Sequence, residues 1–199
     1  MIRAFLAVEI SDEIRTAILQ VQHDIKERLA AYLSKEIRIA WGQRDSFHLT
    51  MRFLGDMEKQ RIDPLREAMA KIRQSHPTIQ IPLERIQAFP NVLKPRVLWV
   101  GPSESWLQSE PAKRLVEFHQ AIEACCHSLG FASDEKPFSP HLTLARIKTG
   151  ERLVGPLLAQ SGVYERSVSL GTMAVGPVVL IKSQLRPTGP VYTKLWEVA

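Results

Sequence analysis

The chain contains one short pattern twice, and this repeat restricts its fold more than any other feature of the sequence. The first copy, residues 47–55 (FHLTMRFLG), alternates apolar and polar residues and is rich in β-branched and aromatic types, which predicts a β-strand. Side chains two positions apart share one face of a strand. The pattern therefore predicts His48, Thr50 and Arg52 on one face, with the intervening apolar residues as far as Phe53 facing the core.

The second copy, residues 140–146 (PHLTLAR), again places a histidine and a threonine two positions apart, at His141 and Thr143. The two copies lie nearly half the chain apart. One His-x-Thr sequence arises easily by chance, whereas two copies on strand-like segments are a much stronger signal. The repeat predicts two similar halves, each contributing one histidine and one hydroxyl to a shared cleft.

The remaining segments predict an α+β fold in one bilobal domain spanning 1–199, with two similar lobes of mostly antiparallel sheet, helices packed outside, and a central cleft. Helices are predicted from the spacing of apolar residues and from capping residues such as Ser11 and Gly130. The predicted strands are 2–10, 37–41, 47–54, 78–89, 96–100, 140–146, 164–175, 178–184 and 191–198, and the predicted helices are 11–33, 58–74, 109–129 and 153–160. Loops are predicted at 102–108 and 134–140.

Composition narrows the function classes. The formal charge of +5 and the pI of about 9.4 favour an anionic partner such as RNA, although a basic surface that only keeps the protein soluble fits equally well. No apolar run is long enough to span a bilayer, and the N-terminal residues do not have the layout of a signal peptide. Cys125 and Cys126 are adjacent, which implies no disulfide framework. We therefore expect a cytoplasmic protein with no membrane association.

The paired histidines predict proton-transfer chemistry on a phosphate. Histidine titrates near neutral pH, so two rings on opposite sides of a phosphorus atom could remove one proton and donate another. Each threonine hydroxyl could donate a hydrogen bond to a phosphate oxygen, where negative charge increases in the transition state. Two alternatives remain: unrelated structural histidines, or a shared metal site, for which two histidines without nearby carboxylates or thiolates are a poor ligand set.

Both motifs and four flanking segments resemble one known family. The flanking matches are Arg3–Val8, the stretch from Phe89 to Trp99, Phe138–Pro140 and Gly189–Tyr192. With its two His-x-Thr motifs, the chain resembles the 2H phosphoesterase superfamily. Within that superfamily it is most similar to the RNA 2′,3′-cyclic phosphodiesterases, also called 2′-5′ RNA ligases. The resemblance covers nearly the whole chain and implies a LigT-like fold.

The resemblance implies an activity and a set of roles. His48 would be the proton donor and His141 the proton acceptor, and Thr50 and Thr143 would hold the phosphate. Water would open a terminal 2′,3′-cyclic phosphate to leave a 2′-phosphate. With a 5′-hydroxyl in place of water, a 2′-5′ linkage would form without ATP. The resemblance implies no cofactor and no metal. The expected partners are RNA ends or nucleotides with a cyclic phosphate, and the expected state is a monomer.

Two arginines are candidates for binding the phosphate. Arg146 matches the arginine that usually follows the family's second motif, but it lies five residues after His141 and would face away from it in a regular strand. It could reach the phosphate only if the strand ends, twists or bulges after Leu144. Arg52 has the same strand parity as His48 and is the simpler candidate on physical grounds.

Aromatic residues at the rim of the cleft could stack on bases. Trp41, Phe47, Phe138 and Tyr192 are the possible platforms, but no one of them is favoured by the sequence. Trp99 and Trp196 lie within apolar strands and are predicted to be core residues.

Two other functions remain open at this point. One is a related phosphodiesterase acting on small nucleotides, such as ADP-ribose 1″,2″-cyclic phosphate or 2′-5′ oligoadenylate. The other is a non-catalytic RNA-binding module. The intact histidines and threonines of both motifs argue against the second alternative.

Overall fold

A computed structural model describes residues 1–32, 35–133, 137–186 and 189–199. The strands are β1 (Ile2–Glu9), β2 (Arg38–Trp41), β3 (His48–Met57), β4 (Ile79–Pro82), β5 (Arg85–Phe89), β6 (Val97–Gly101), β7 (Leu142–Thr149), β8 (Thr172–Val175), β9 (Val178–Arg186) and β10 (Gly189–Val198). The α-helices are α1 (Asp12–Leu29), α2 (Ile62–Gln74), α3 (Glu104–Leu107), α4 (Glu110–Ser128) and α5 (Glu151–Gln160).

Two four-stranded antiparallel sheets form the framework. The first sheet has the strand order β10-β9-β1-β3 and the second has the order β2-β7-β6-β5, while β4 and β8 form a separate pair. His48 is the first residue of β3 in the first sheet, and His141 immediately precedes β7 in the second. The predicted α+β fold with antiparallel sheets and packed helices is confirmed.

The longer helices α1, α2, α4 and α5 pack on the sheets because each buries an apolar stripe. In α1, Ser11 caps the N-terminus by accepting from the Ile14 backbone nitrogen at 3.4 Å, and the stripe from Ile14 to Leu29 is buried in the main core. On the opposite face of the first sheet a small, separate cluster contains Phe5, Ala7, Val179 and Ile181. The face that carries His48 therefore has its own apolar floor. Within the described residues, no helix is long and apolar enough to cross a membrane.

Several predicted boundaries differ from the observed ones. The strand predicted over 78–89 is two strands, because the chain leaves β8 after Pro82 and pairs with β6 from Arg85 onward. The strand predicted over 164–175 covers only Thr172–Val175. The predicted loop 102–108 contains the short helix α3. The helix predicted to residue 33 ends at Leu29 and continues as a 3-10 turn, and its predicted end and part of the 134–140 linker lie outside the described residues.

Each histidine strand contains a β-bulge at the same offset from its histidine. In β3, Leu6 of β1 pairs with Arg52 and Ala7 pairs with Thr50, so Met51 is the extra residue. In β7, Leu98 of β6 pairs with Ala145 and Trp99 pairs with Thr143, so the extra residue is Leu144. A bulge shifts the alternation of side chains by one position. Residues beyond each bulge therefore point to the face opposite to the one that simple alternation predicts.

Candidate active site

His48 is held at the start of β3 by its approach loop and by two aromatic rings. Residues 44–46 form a 3-10 turn closed by reciprocal Gln43–Ser46 hydrogen bonds. The Arg15 guanidinium donates to the carbonyls of Arg44 at 2.9 Å and Phe47 at 3.3 Å. The centroid of the His48 imidazole lies 4.7 Å from the ring of Phe5 and 5.3 Å from the ring of Tyr192.

His141 has a closely similar environment in the second sheet. Its Nδ1 lies 2.8 Å from the Ser139 carbonyl oxygen. A carbonyl can only accept, so Nδ1 carries the hydrogen, and Nε2 is the nitrogen left to exchange a proton with a ligand. The ring centroid is 5.0 Å from Phe89 in an edge-on contact and 5.9 Å from Trp99.

The electrostatic environments of the two rings are alike. The pKa of His48 is lowered to about 4, mainly by burial. A hydrogen bond to the Ser46 backbone opposes this shift, and the charges of Arg15, His141 and Arg146 add to it. Burial likewise lowers the pKa of His141, opposed by the Ser139 hydrogen bond, and Arg146 again lowers it. His48 thus lies within the electrostatic range of both His141 and Arg146, and both rings are neutral near pH 7.

The two threonines lie on the same faces as their histidines. Thr50 pairs with Ala7, which belongs to the small apolar cluster beneath His48, and Thr143 pairs with Trp99, which contacts His141. Both threonines are half-buried. Their hydroxyls are therefore available on the side of the imidazoles rather than on the helix-covered side.

Arg146 follows a β-bulge, which is one of the conditions under which it could reach the phosphate. The bulge at Leu144 turns its side chain to the face of Thr143, where it is exposed. Its positive charge lowers the pKa of His48 and of His141. Burial raises the pKa of the Tyr192 phenol, and the charge of Arg146 opposes that rise. The bulge therefore puts Arg146 on the face of Thr143, and its positive charge lowers the pKa of both imidazoles.

The prediction that Arg52 shares the face of His48 is wrong. The bulge at Met51 turns its side chain toward the helices, where it is 2% exposed. There it forms an ion pair with Glu123 of α4 and donates to the carbonyl of Ala132. Arg52 therefore links β3 to the helix and to the segment that leads toward the second motif, and it does not reach the imidazoles.

The same bulge exposes an aromatic residue that alternation assigns to the core. Phe53 is 58% exposed, and its ring centroid lies 5.8 Å from Phe5, the ring that packs on His48. The sequence of this strand alternates in the ordinary way and does not indicate a bulge. The exposure of Phe53 therefore could not be predicted from the sequence pattern.

The rim aromatics considered from the sequence have different environments. Tyr192 packs on His48, whereas Phe47 is buried in the core. Trp41 lies under Lys26 of α1, and Phe138 stacks on His119 of α4 at 4.1 Å. Trp196 is a core residue as predicted, and Trp99 is buried but also forms part of the floor under His141.

Comparison with known proteins places these features in a family context. The family described as LigT like Phosphoesterase matches residues 8–99 and 106–192. An Aeropyrum pernix protein named RNA 2′,3′-cyclic phosphodiesterase is 33% identical over 77% of this chain and 82% of its own length. An Aquifex aeolicus protein of the same name is 30% identical over 88% of this chain and 89% of its own length.

A solved structure of Escherichia coli LigT with 3′-AMP superposes with a TM-score of 0.69 at 23% identity, over the full chain and 98% of that protein. At this identity the similarity establishes the fold alone. Among the described residues, no group of three histidine, cysteine, aspartate or glutamate side chains is arranged to hold a metal ion.

Proposed function

Because this chain belongs to the LigT-like phosphoesterase family, we propose that it opens RNA 2′,3′-cyclic phosphates by acid–base catalysis with His48 and His141. The observation that carries the proposal is the matched setting of the two imidazoles. They come from different sheets, each is held by the backbone two residues upstream, and His48 responds to the charges of His141 and Arg146.

The proposed reaction balances with these two rings. A water oxygen bonds to phosphorus while one neutral imidazole removes its proton. The bond between phosphorus and O3′ breaks, and the other ring, in its protonated form, donates a proton to O3′. A 2′-phosphate and a 3′-hydroxyl remain. By similarity to the family, His48 is the donor and His141 the acceptor in the hydrolytic direction.

The lowered pKa values fit such a division of roles. With no anion bound, both rings are neutral near pH 7 because burial disfavours their charged forms. A bound phosphate carries negative charge and favours protonation of a neighbouring ring. One ring can then act as the acid while its partner stays neutral and acts as the base. Thr50, Thr143 and Arg146 would stabilise the charge that develops on the phosphate oxygens.

The same residues could catalyse joining. If a 5′-hydroxyl replaces water, attack on the cyclic phosphate forms a 2′-5′ linkage, and the strain of the cyclic ring supplies the driving force without ATP. Because O3′ is again the leaving group, each histidine keeps the role it has in hydrolysis. Microscopic reversibility requires the two roles to exchange only when the 2′-5′ linkage is cleaved back to the cyclic phosphate. We therefore propose that both reactions depend on one pair of histidines.

The decisive experiment uses an RNA oligonucleotide with a 2′,3′-cyclic end and identifies the product as a 2′-phosphate. His48→Ala and His141→Ala should each lower kcat by at least about 10²-fold, the usual contribution of a general acid or base. The matched control is His127→Ala, because His127 is exposed on α4. Excess EDTA should leave activity unchanged, since the proposed steps use only side chains.

Three results would contradict the proposal. Binding of RNA without opening of the cyclic phosphate would favour a binding module. Turnover of ADP-ribose 1″,2″-cyclic phosphate or 2′-5′ oligoadenylate, but not of RNA ends, would move the substrate class to small nucleotides. Loss of activity in EDTA would require a metal.

A further inference from the structure

We infer that Gln22, a buried residue of α1, is a positioning residue that orients Arg146 in the phosphate site. This inference rests on the proposed function. Gln22 is 1% exposed, and with Arg52 it is one of two polar side chains buried in the described part of the chain. Its Nε2 donates to the Leu144 carbonyl at 2.7 Å and to the Gly42 carbonyl at 3.1 Å. Both N–H groups of the amide are therefore used on backbone carbonyls.

One of those carbonyls belongs to the residue that determines where Arg146 points. Leu144 is the extra residue of the bulge in β7, and without the bulge the alternation of the strand would turn Arg146 away from His141. The Leu144 oxygen also accepts from the Gly42 backbone nitrogen at 2.8 Å. Gln22 thus hydrogen-bonds the bulge directly. It also hydrogen-bonds Gly42, the residue that follows β2 and donates to the same Leu144 oxygen.

The His48 side of the site has separate support. Its approach loop is closed by the Gln43–Ser46 hydrogen bonds and is tied to α1 by Arg15, which contacts the carbonyls of Arg44 and Phe47. The bulge in β7 instead accepts a side-chain hydrogen bond from Gln22. Loss of the Gln22 amide should therefore affect Arg146 more than it affects His48.

The test is a double-mutant cycle on opening of a 2′,3′-cyclic phosphate. Gln22→Met keeps the length of the side chain and removes both N–H donors. It should lower kcat/KM by about tenfold in the wild-type background and by less than about twofold in an Arg146→Ala background. Gln20→Met is the matched control, because Gln20 lies on the exposed face of α1 and its amide donates to Asp24 of the same helix. It should change kcat/KM in neither background.

A second readout does not depend on turnover. The affinity for inorganic phosphate, measured by calorimetry, should fall in Gln22→Met and in Arg146→Ala to a similar extent, and the double variant should be no weaker. If wild-type protein opens no cyclic phosphate, the proposed function fails, but this binding cycle still tests the role of Gln22.

Two outcomes would overturn the inference. Equal losses from Gln22→Met in the presence and absence of Arg146 would show that the amide does not act through that side chain. A Gln22→Met protein that does not fold would show that the amide maintains the fold as a whole. Gln22→Asn, which keeps the amide but shortens its reach by one methylene, should behave as Gln22→Met does.

Discussion

At the scale of single residues, the buried imidazole of His48 couples stability to pH. Its pKa is lowered from 6.5 to about 4, mainly by burial, whereas the unfolded chain titrates near 6.5. Between these values the unfolded state binds a proton that the folded state does not, so the free energy of unfolding decreases as the pH falls from 6.5 toward 4. Above pH 6.5 both states are neutral at this position and the full stabilisation is present.

Replacing His48 with asparagine should reduce that acid sensitivity. Between pH 6.5 and pH 4 the wild type should lose about 3 kcal/mol more of its unfolding free energy than His48→Asn does. Urea denaturation of both proteins across this pH range measures the difference. Using the difference between the two proteins removes the contribution of carboxylates that titrate in the same range. A difference that stays constant from pH 7 to pH 4 would show that His48 titrates normally.

Phe53 should bind the base of the substrate. Its exposed ring lies beside Phe5, which packs on His48, and a base on an aromatic ring is typically worth about 1–3 kcal/mol. Phe53→Ala should therefore raise KM for a cyclic-phosphate RNA about tenfold or more and change kcat little. Tyr32→Ala is a suitable control because Tyr32 is equally exposed, at 58%. A decrease confined to kcat would contradict a stacking role.

At the scale of elements, the two bulges explain which predictions succeed. Alternation correctly gives the faces of His48 and Thr50, which precede the first bulge, and fails for Arg52 and Phe53, which follow it. Regular parity is a local property of the sequence, whereas a bulge depends on how neighbouring strands and helices bind the backbone. The position of Arg146 followed from resemblance to the family, and its physical reason became apparent only with the Leu144 bulge.

Arg52 should contribute to stability rather than catalysis. Its guanidinium is almost fully buried against the Glu123 carboxylate, so Arg52→Met would remove the arginine partner of that carboxylate. Removing one partner of a buried pair typically costs about 3–5 kcal/mol. Denaturant unfolding should show such a loss, while kcat of the folded variant stays within a few-fold of wild type.

The control for Arg52 is Lys113→Met, which breaks an exposed pair with Glu110 and should change stability by less than about 0.5 kcal/mol. A large loss of kcat in Arg52→Met with unchanged stability would instead return Arg52 to the phosphate site.

At the scale of the whole molecule, the two lobes are not the two halves of the sequence. The first sheet combines β1 and β3 with β9 and β10 from the end of the chain, and the second combines β2, β5 and β6 with β7. The repeated motif predicted two similar halves with one histidine each, whereas the structure has two sheets with one histidine each that do not correspond to the halves. The exchange of strands could not be predicted, because pairing between distant strands depends on the packing of the complete core and leaves no local pattern.

This strand arrangement predicts that each molecule supplies both histidines of its own site. The first sheet combines strands from both ends of the sequence, and the second is built from strands within residues 38–149. Two copies could therefore share a site only by exchanging strands, which requires extensive unfolding. A mixture of His48→Ala and His141→Ala proteins, incubated together before assay, should therefore be no more active than the variants measured separately. Recovery of a substantial fraction of wild-type activity in the mixture would mean that one copy supplies His48 and another supplies His141. Analytical ultracentrifugation of the same mixture would then reveal the exchanged dimer.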